Sequence, residues 1–150
     1  MLKNSISLFI LILLLTGCED GVYTPVSLPE LDVYCQIPPA TLDENGYYHY
    51  PYAGYNYGNV YYMTLDSEGE PLGLQLVAWT SPDEFCVWWF NDYICQPVIN
   101  YSTYSREDGT GQQNFYMNET FIGDTLELIG WFRPEEVSED IQTTIRVIIE

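Results

Sequence analysis

Basic residues are almost absent from this chain. Lys3, Arg106, Arg133 and Arg146 are the whole cationic set, against 22 aspartates and glutamates and one histidine, His49. A formal charge of −18 repels nucleic-acid phosphates and anionic lipid head groups, which excludes a nucleic-acid partner and a basic membrane-binding patch. Also missing is an apolar run long enough to span a bilayer. A spanning helix needs about 20 residues, and the longest run, Ile6 to Leu15, is half that. No stretch sustains a helical period. A G-x-S-x-G nucleophile pattern is lacking, and His49 lies among aromatics with no nucleophile pattern beside it, so no catalysis is expected. The four cysteines, Cys18, Cys35, Cys86 and Cys95, lack the paired short spacing of a zinc site.

What is present begins with Lys3, the apolar run, and Leu15-Thr16-Gly17-Cys18. An apolar core of about ten residues after a positive charge fits a signal-peptide h-region, and Thr16 and Gly17 are small enough for a peptidase cleft. Leu15-Thr16-Gly17-Cys18 resembles the lipobox of bacterial lipoproteins. The resemblance implies removal of residues 1–17, diacylglyceryl modification of the Cys18 thiol, and a membrane partner reached through acyl chains. Two or more chains anchor stably where one is marginal. Glu19-Asp20 resembles, in short form, the acidic surface-export signal of Bacteroidota lipoproteins, which implies an outer-membrane location at the cell surface or the periplasmic face. Residues 18–30 contain Pro25 and Pro29 and read as a lipidated tether, whose last twelve residues reach at most about 40 Å. Residues 31–150 form one domain, and the chain from Cys18 onward, without Lys3, has a formal charge of 3 − 22 = −19.

Within that domain the dominant period is two. Ile141, Thr143, Ile145, Val147 and Ile149 fall on one face, as do Leu126, Leu128, Gly130 and Phe132, and Leu31, Val33, Cys35 and Ile37. Each set predicts a half-buried strand. Residues 59–65 and 72–79 flank the turn-rich Asp66-Ser-Glu-Gly-Glu-Pro71 and read as a hairpin, and residues 85–90 and 93–100 flank Asn91-Asp92 as a second one. Residues 114–117 add a short strand. About seven strands predict an all-β, antiparallel sandwich. The succession of short hairpins resembles the immunoglobulin-like domains of bacterial surface lipoproteins; a lipocalin-type barrel would carry Gly-x-Trp near its first strand, and none is there.

With Cys18 committed to lipid, Cys35, Cys86 and Cys95 remain, and thiols outside the cytoplasm tend to pair. A four-residue turn from Trp89 to Asp92 sets Cys86 opposite Cys95; a two-residue turn at Asn91-Asp92 offsets them, and a bridge from Cys35 or free thiols are the other outcomes.

Tyr47 to Tyr62 holds eight of the 14 tyrosines. Tyrosine is a rigid amphipathic ring favoured in recognition loops, and sugars stack apolar faces on such rings while bonding their hydroxyls. Tyr55, Tyr57, Trp88 and Trp89 are therefore the candidate ligand-binding residues. The expected partner is a glycan or adhesion ligand, or alternatively an outer-membrane assembly in which the chain is an accessory subunit. Calcium is a weaker cofactor candidate at the oxygen-rich turns of Asp43, Asp66 and Asp108, none of which has the spacing of a calcium loop.

Overall fold

The computed structural model describes residues 30–32, 37, 39–134 and 140–150. The signal segment, Cys18, most of the tether and Cys35 lie outside the described residues. The structure is an all-β sandwich. Eleven strands occur among the described residues: β1 (Glu30–Asp32), β2 (Thr41–Leu42), β3 (Tyr47–Tyr50), β4 (Tyr57–Leu65), β5 (Leu76–Thr80), β6 (Glu84–Trp89), β7 (Asp92–Pro97), β8 (Asn100–Tyr104), β9 (Thr110–Tyr116), β10 (Thr125–Phe132) and β11 (Ile141–Ile149). One sheet runs β1-β4-β9 and the other β2-β3-β11-β10-β5-β8, while β6 and β7 pair only with each other.

The period-two segments became the centre of the larger sheet. Leu126, Leu128 and Phe132 of β10 and Ile145, Val147 and Ile149 of β11 are all buried, and the two strands pair from Thr125↔Ile148 to Phe132↔Ile141. Val60 and Tyr62 of β4 and Phe115 of β9 face them from the smaller sheet. Tyr50 meets Phe115 edge-on with ring centres 6.2 Å apart, and Tyr62 leans on Trp79 of β5 at 5.8 Å. Burying one such side chain contributes about 1.5–3 kcal/mol, so these rings dominate the core.

Three of the buried rings share one device. Phe115 sits opposite Gly58, Tyr62 opposite Gly111, and Trp79 opposite Gly130. Each ring folds across its glycine, so that a Cβ on Gly58, Gly111 or Gly130 would lie 2.2, 2.1 or 2.8 Å from ring atoms. Glycine loses packing within a strand; here the cross-strand ring covers the bare backbone and fills the space.

Four expectations are corrected. Segments 59–65 and 72–79 do not form a hairpin: after the Asp66 turn, the bridge Leu65↔Pro71 and the bonds of Leu72 N to the Thr64 carbonyl and Thr64 Oγ1 to the Leu72 carbonyl join them, and no ladder follows. Pro71 has no N–H to extend a ladder, and Leu74, at φ 60°, turns the chain into the other sheet. Strands β2, β3 and β8 were not among the segments anticipated, and β9 begins four residues earlier than residue 114. The tyrosine-rich segment divides between strands Tyr47–Tyr50 and Tyr57–Leu65, whose Tyr50 and Tyr62 are core. The sheets are antiparallel except that β3 runs parallel to β11.

Candidate functional site

The β6–β7 hairpin leaves the sandwich from a fixed base. Ser81 Oγ donates to the Glu127 carbonyl at 2.6 Å and accepts from Asp83 N at 3.1 Å. Asp83 Oδ2 accepts from Glu127 N at 2.7 Å, and the Asp83 carbonyl accepts from Val98 N at 2.8 Å. The first leg is thus tied to β10 and the second to the first, with buried Val98 and Ile99 as the second leg's footing. The arms are about 20 Å long at ~3.3 Å per residue.

Cys86 lies directly opposite Cys95, and the two form a disulfide with Cα atoms 4.0 Å apart. The turn centre is Phe90-Asn91, with Trp89 paired to Asp92. It is therefore the Trp89-to-Asp92 turn of the two alternatives. Phe90 has φ 55°, the left-handed region that costs a side-chain-bearing residue about 1 kcal/mol or more. It is also 91% exposed.

Alternation gives the arm two faces. Phe85, Val87 and Ile94 are half-buried toward the body, and the Phe85 ring stacks on Tyr116 of β9 with centres 3.8 Å apart. Cys86, Trp88, Tyr93 and Cys95 point the other way, where Trp88 is 73% exposed and packs against Tyr93 at 5.5 Å. Trp89 meets Phe90 at the tip, 5.7 Å between centres. Of the predicted ligand-binding residues, all four are exposed, but they are not one cluster. Tyr57 packs edge-on against Tyr116 at 5.7 Å and so joins the Phe85 face. Trp88 lies on the opposite face, and Tyr55 has no ring partner among the described residues. Phe85, Phe90, Tyr93 and Tyr116 belong to the aromatic surface and were not singled out. The signal was available: the Cys86–Cys95 pairing alone places Tyr93 opposite Trp88.

The three calcium candidates are turn formers. Asp43 Oδ1 accepts from Asn45 N and Tyr47 N at 2.9 and 2.8 Å, and Asp66 Oδ1 from Glu68 N and Glu70 N at 2.8 and 3.0 Å. Asp108 Oδ1 accepts from the Thr110 N–H and hydroxyl at 3.0 and 2.6 Å. Among the described residues no three His, Cys, Asp or Glu side chains gather as metal ligands. The Thr110 bonds hold the Asp108 pKa below its usual value, and the Tyr47 N–H does the same for Asp43.

His49 sits between two carboxylates, Nδ1 at 2.6 Å from Glu150 Oε1 and Nε2 at a loose 3.4 Å from Asp43 Oδ2. These partners, Glu150 first, raise its pKa above the ordinary 6.5. The pairing joins β3 to the end of β11, and no hydroxyl or thiol bonds to the ring among the described residues. A raised folded-state pKa contributes stability that is full below pH 6.5 and lost as pH rises through the raised value. Thermal melts from pH 5.5 to 9 should therefore show a Tm falling across that window in the native chain. In His49→Gln that slope should disappear, and a persisting slope would assign it elsewhere. Added salt should weaken the effect, because the pair is partly exposed.

No protein-family model matches the chain, and comparison with curated proteins and with solved structures finds no match to either its sequence or its fold.

Proposed function

We propose that this chain is a lipid-anchored, non-catalytic recognition protein of the bacterial outer membrane, facing the cell surface, that holds a glycan against its aromatic hairpin. One observation carries the reading: Trp88, Trp89, Phe90 and Tyr93 are all exposed on a disulfide-closed arm that pairs with no other strand. Large exposed apolar patches mark interaction sites, and the rings are held in place before any ligand arrives, so little ordering entropy opposes binding. The lipobox resemblance supports the anchor. Strand order supports an immunoglobulin-like sandwich, with β1, β4 and β9 in one layer and β11, β10, β5 and β8 in the other, as the first, second and fifth strands and the last, sixth, third and fourth of that fold are arranged.

A glycan array probed with the full chain in detergent tests the assignment. Trp88→Ala with Trp89→Ala should weaken binding about tenfold or more and leave the Tm unchanged, because neither ring is in the core. Unchanged binding after alanine replacement of Tyr55, Tyr57, Trp88 and Trp89 together would reject it. Phe90 favours a second reading, as an accessory subunit docked on an outer-membrane protein, since it has no hydroxyl to offer a sugar. A photo-crosslinker at position 90 in intact cells that captures one membrane protein stoichiometrically would select that reading.

A further inference from the structure

Three turns of this protein share one geometry. Asp43-Glu-Asn-Gly46, Asp66-Ser-Glu-Gly69 and Arg106-Glu-Asp-Gly109 each end in a glycine of positive φ, at 83°, 83° and 76°. In each, the first residue's carbonyl accepts from that glycine's N–H, at 3.2, 3.1 and 3.0 Å, and its own N–H donates to the residue after it, at 2.9, 2.9 and 2.7 Å. In the first two an aspartate leads, and its carboxylate closes the turn. In the third an arginine stands there, and Asp108 does the closing instead. Beside the Thr110 bonds, the Arg106 charge helps to hold the Asp108 pKa down, but its side chain does not close the turn.

It is also left without an ion pair. Arg133 bonds Asp140 at 2.8 Å and Arg146 bonds Glu127 at 3.3 Å, whereas no carboxylate lies within 4.0 Å of Arg106 among the described residues. In a chain with 22 acidic residues, partners are abundant, so an unpaired guanidinium is conspicuous. Its backbone is fixed all the same. The Arg106 carbonyl also accepts from Leu74 N at 3.1 Å, and the adjoining Ser105 hydroxyl, buried beside Thr64, accepts from Gln75 N at 2.9 Å.

Arg106 stands at one end of a groove. Strands β8 and β9 are tied at both ends, by Arg106 N to the Thr110 carbonyl at 2.7 Å and by Tyr116 N to the Val98 carbonyl at 2.6 Å. Between those ties they belong to different sheets and share no ladder. The opening is about 500 Å³ and is lined by Tyr101, Tyr104, Arg106, Gln112, Gln113 and Asn114, among others. Gln113 is 8% exposed and lines the groove beside Asn114. A second hollow of about 380 Å³ shares Arg106, Gly111 and Gln112 and is lined by Tyr62, which is 2% exposed and whose hydroxyl has no partner. The groove therefore sets amide groups beside a guanidinium that no carboxylate closes among the described residues. The far end of the groove meets Tyr116, and through Phe85 the aromatic hairpin.

We infer that the β8–β9 groove binds a sugar residue bearing a single carboxylate, a hexuronate within an otherwise neutral glycan. Arg106 takes the carboxylate in a two-point bond, the Gln113 and Asn114 amides that line the groove take ring hydroxyls, and the exposed ring of Tyr101 covers its apolar face. The strongly anionic body disfavours a uniformly charged polymer, which limits the ligand to an isolated acid. This inference rests on the glycan reading above.

The test is calorimetric titration of the full chain in detergent with gluco-, manno-, galacto- and xylo-oligosaccharides carrying one hexuronate, each beside its carboxyl-reduced counterpart. At least one acidic member should bind about tenfold or more tighter than its reduced form. Arg106→Gln should erase that ratio, and Arg106→Lys should restore only part of it, because an ammonium cannot make the fork. Trp88→Ala with Trp89→Ala should weaken both forms and leave the ratio intact. Equal binding of acidic and reduced forms, or a ratio surviving in Arg106→Gln, overturns the groove assignment while leaving the hairpin reading standing. No binding by any member overturns both.

Discussion

Gly111→Ala should destabilise the protein by about 3 kcal/mol or more, the upper range for overpacking a core, and lower its Tm by roughly 10 °C. The new Cβ would lie 2.1 Å from Tyr62 Cζ and 2.3 Å from its hydroxyl oxygen. Tyr62 has no room to retreat, since its ring leans on Trp79, which is itself 1% exposed and folded over Gly130. The strand cannot retreat either, because β9 is bonded along β4 from Thr110 to Tyr116. The three glycine–ring pairs should rank by the clash. Gly58→Ala, at 2.2 Å from Phe115, should behave like Gly111→Ala, and Gly130→Ala, at 2.8 Å from Trp79, should cost less. A double-mutant cycle identifies the cause: once Tyr62→Ala removes the ring, adding Gly111→Ala should cost little, giving strong non-additivity. Denaturant melts of the four chains decide it, and additive losses would mean that backbone preference, not the ring, sets the role of Gly111.

How much of this was legible beforehand follows from where each residue faces. Strands β10 and β11 are buried on one side only, so Leu126, Leu128 and Phe132, and Ile145, Val147 and Ile149, wrote their alternation into the sequence. Strand β8, Asn-Tyr-Ser-Thr-Tyr, is a sheet edge with little burial, and an edge strand imprints no such pattern. The Asp66 turn was correctly seen as a turn, but turn chemistry does not say whether the strands it joins share a sheet; the Leu74 backbone decides that. At the hairpin tip, asparagine and aspartate are the residues that tolerate tight turns, which drew attention to Asn91-Asp92. The protein instead places Phe90 at the positive φ, against local preference. Violations of this kind concentrate at functional sites. Arg106 is the reverse case: D-E-N-G, D-S-E-G and R-E-D-G stand in plain view, yet the substitution of arginine for aspartate has meaning only once all three turns are known to be the same.

Reduction of Cys86–Cys95, or its replacement by Cys86→Ser with Cys95→Ser, should open the hairpin and leave the sandwich folded. A two-stranded hairpin alone in water is marginal, and β6 and β7 have no third strand to lean on. The cysteines are nine residues apart, and closing a loop of about ten residues restricts the unfolded arm by about 2.7 kcal/mol in the chain-entropy picture. Losing that restraint should raise the open fraction of the arm about 100-fold. The Phe90 turn, already costly, adds to the tendency. The core is untouched, because Val77, Trp79, Val98 and Ile99 are held by β5, β8 and the Ser81–Asp83 clamp. Hydrogen exchange should therefore lose protection from Glu84 to Pro97 while β4, β10 and β11 keep theirs, and the global Tm should move by no more than a few degrees. Glycan affinity should fall with it, since Trp88 and Tyr93 then pay an ordering entropy that the stapled arm does not. A global loss of protection on reduction would make the disulfide a determinant of the fold; unchanged protection throughout would mean that the packing of Phe85 on Tyr116 suffices to hold the arm.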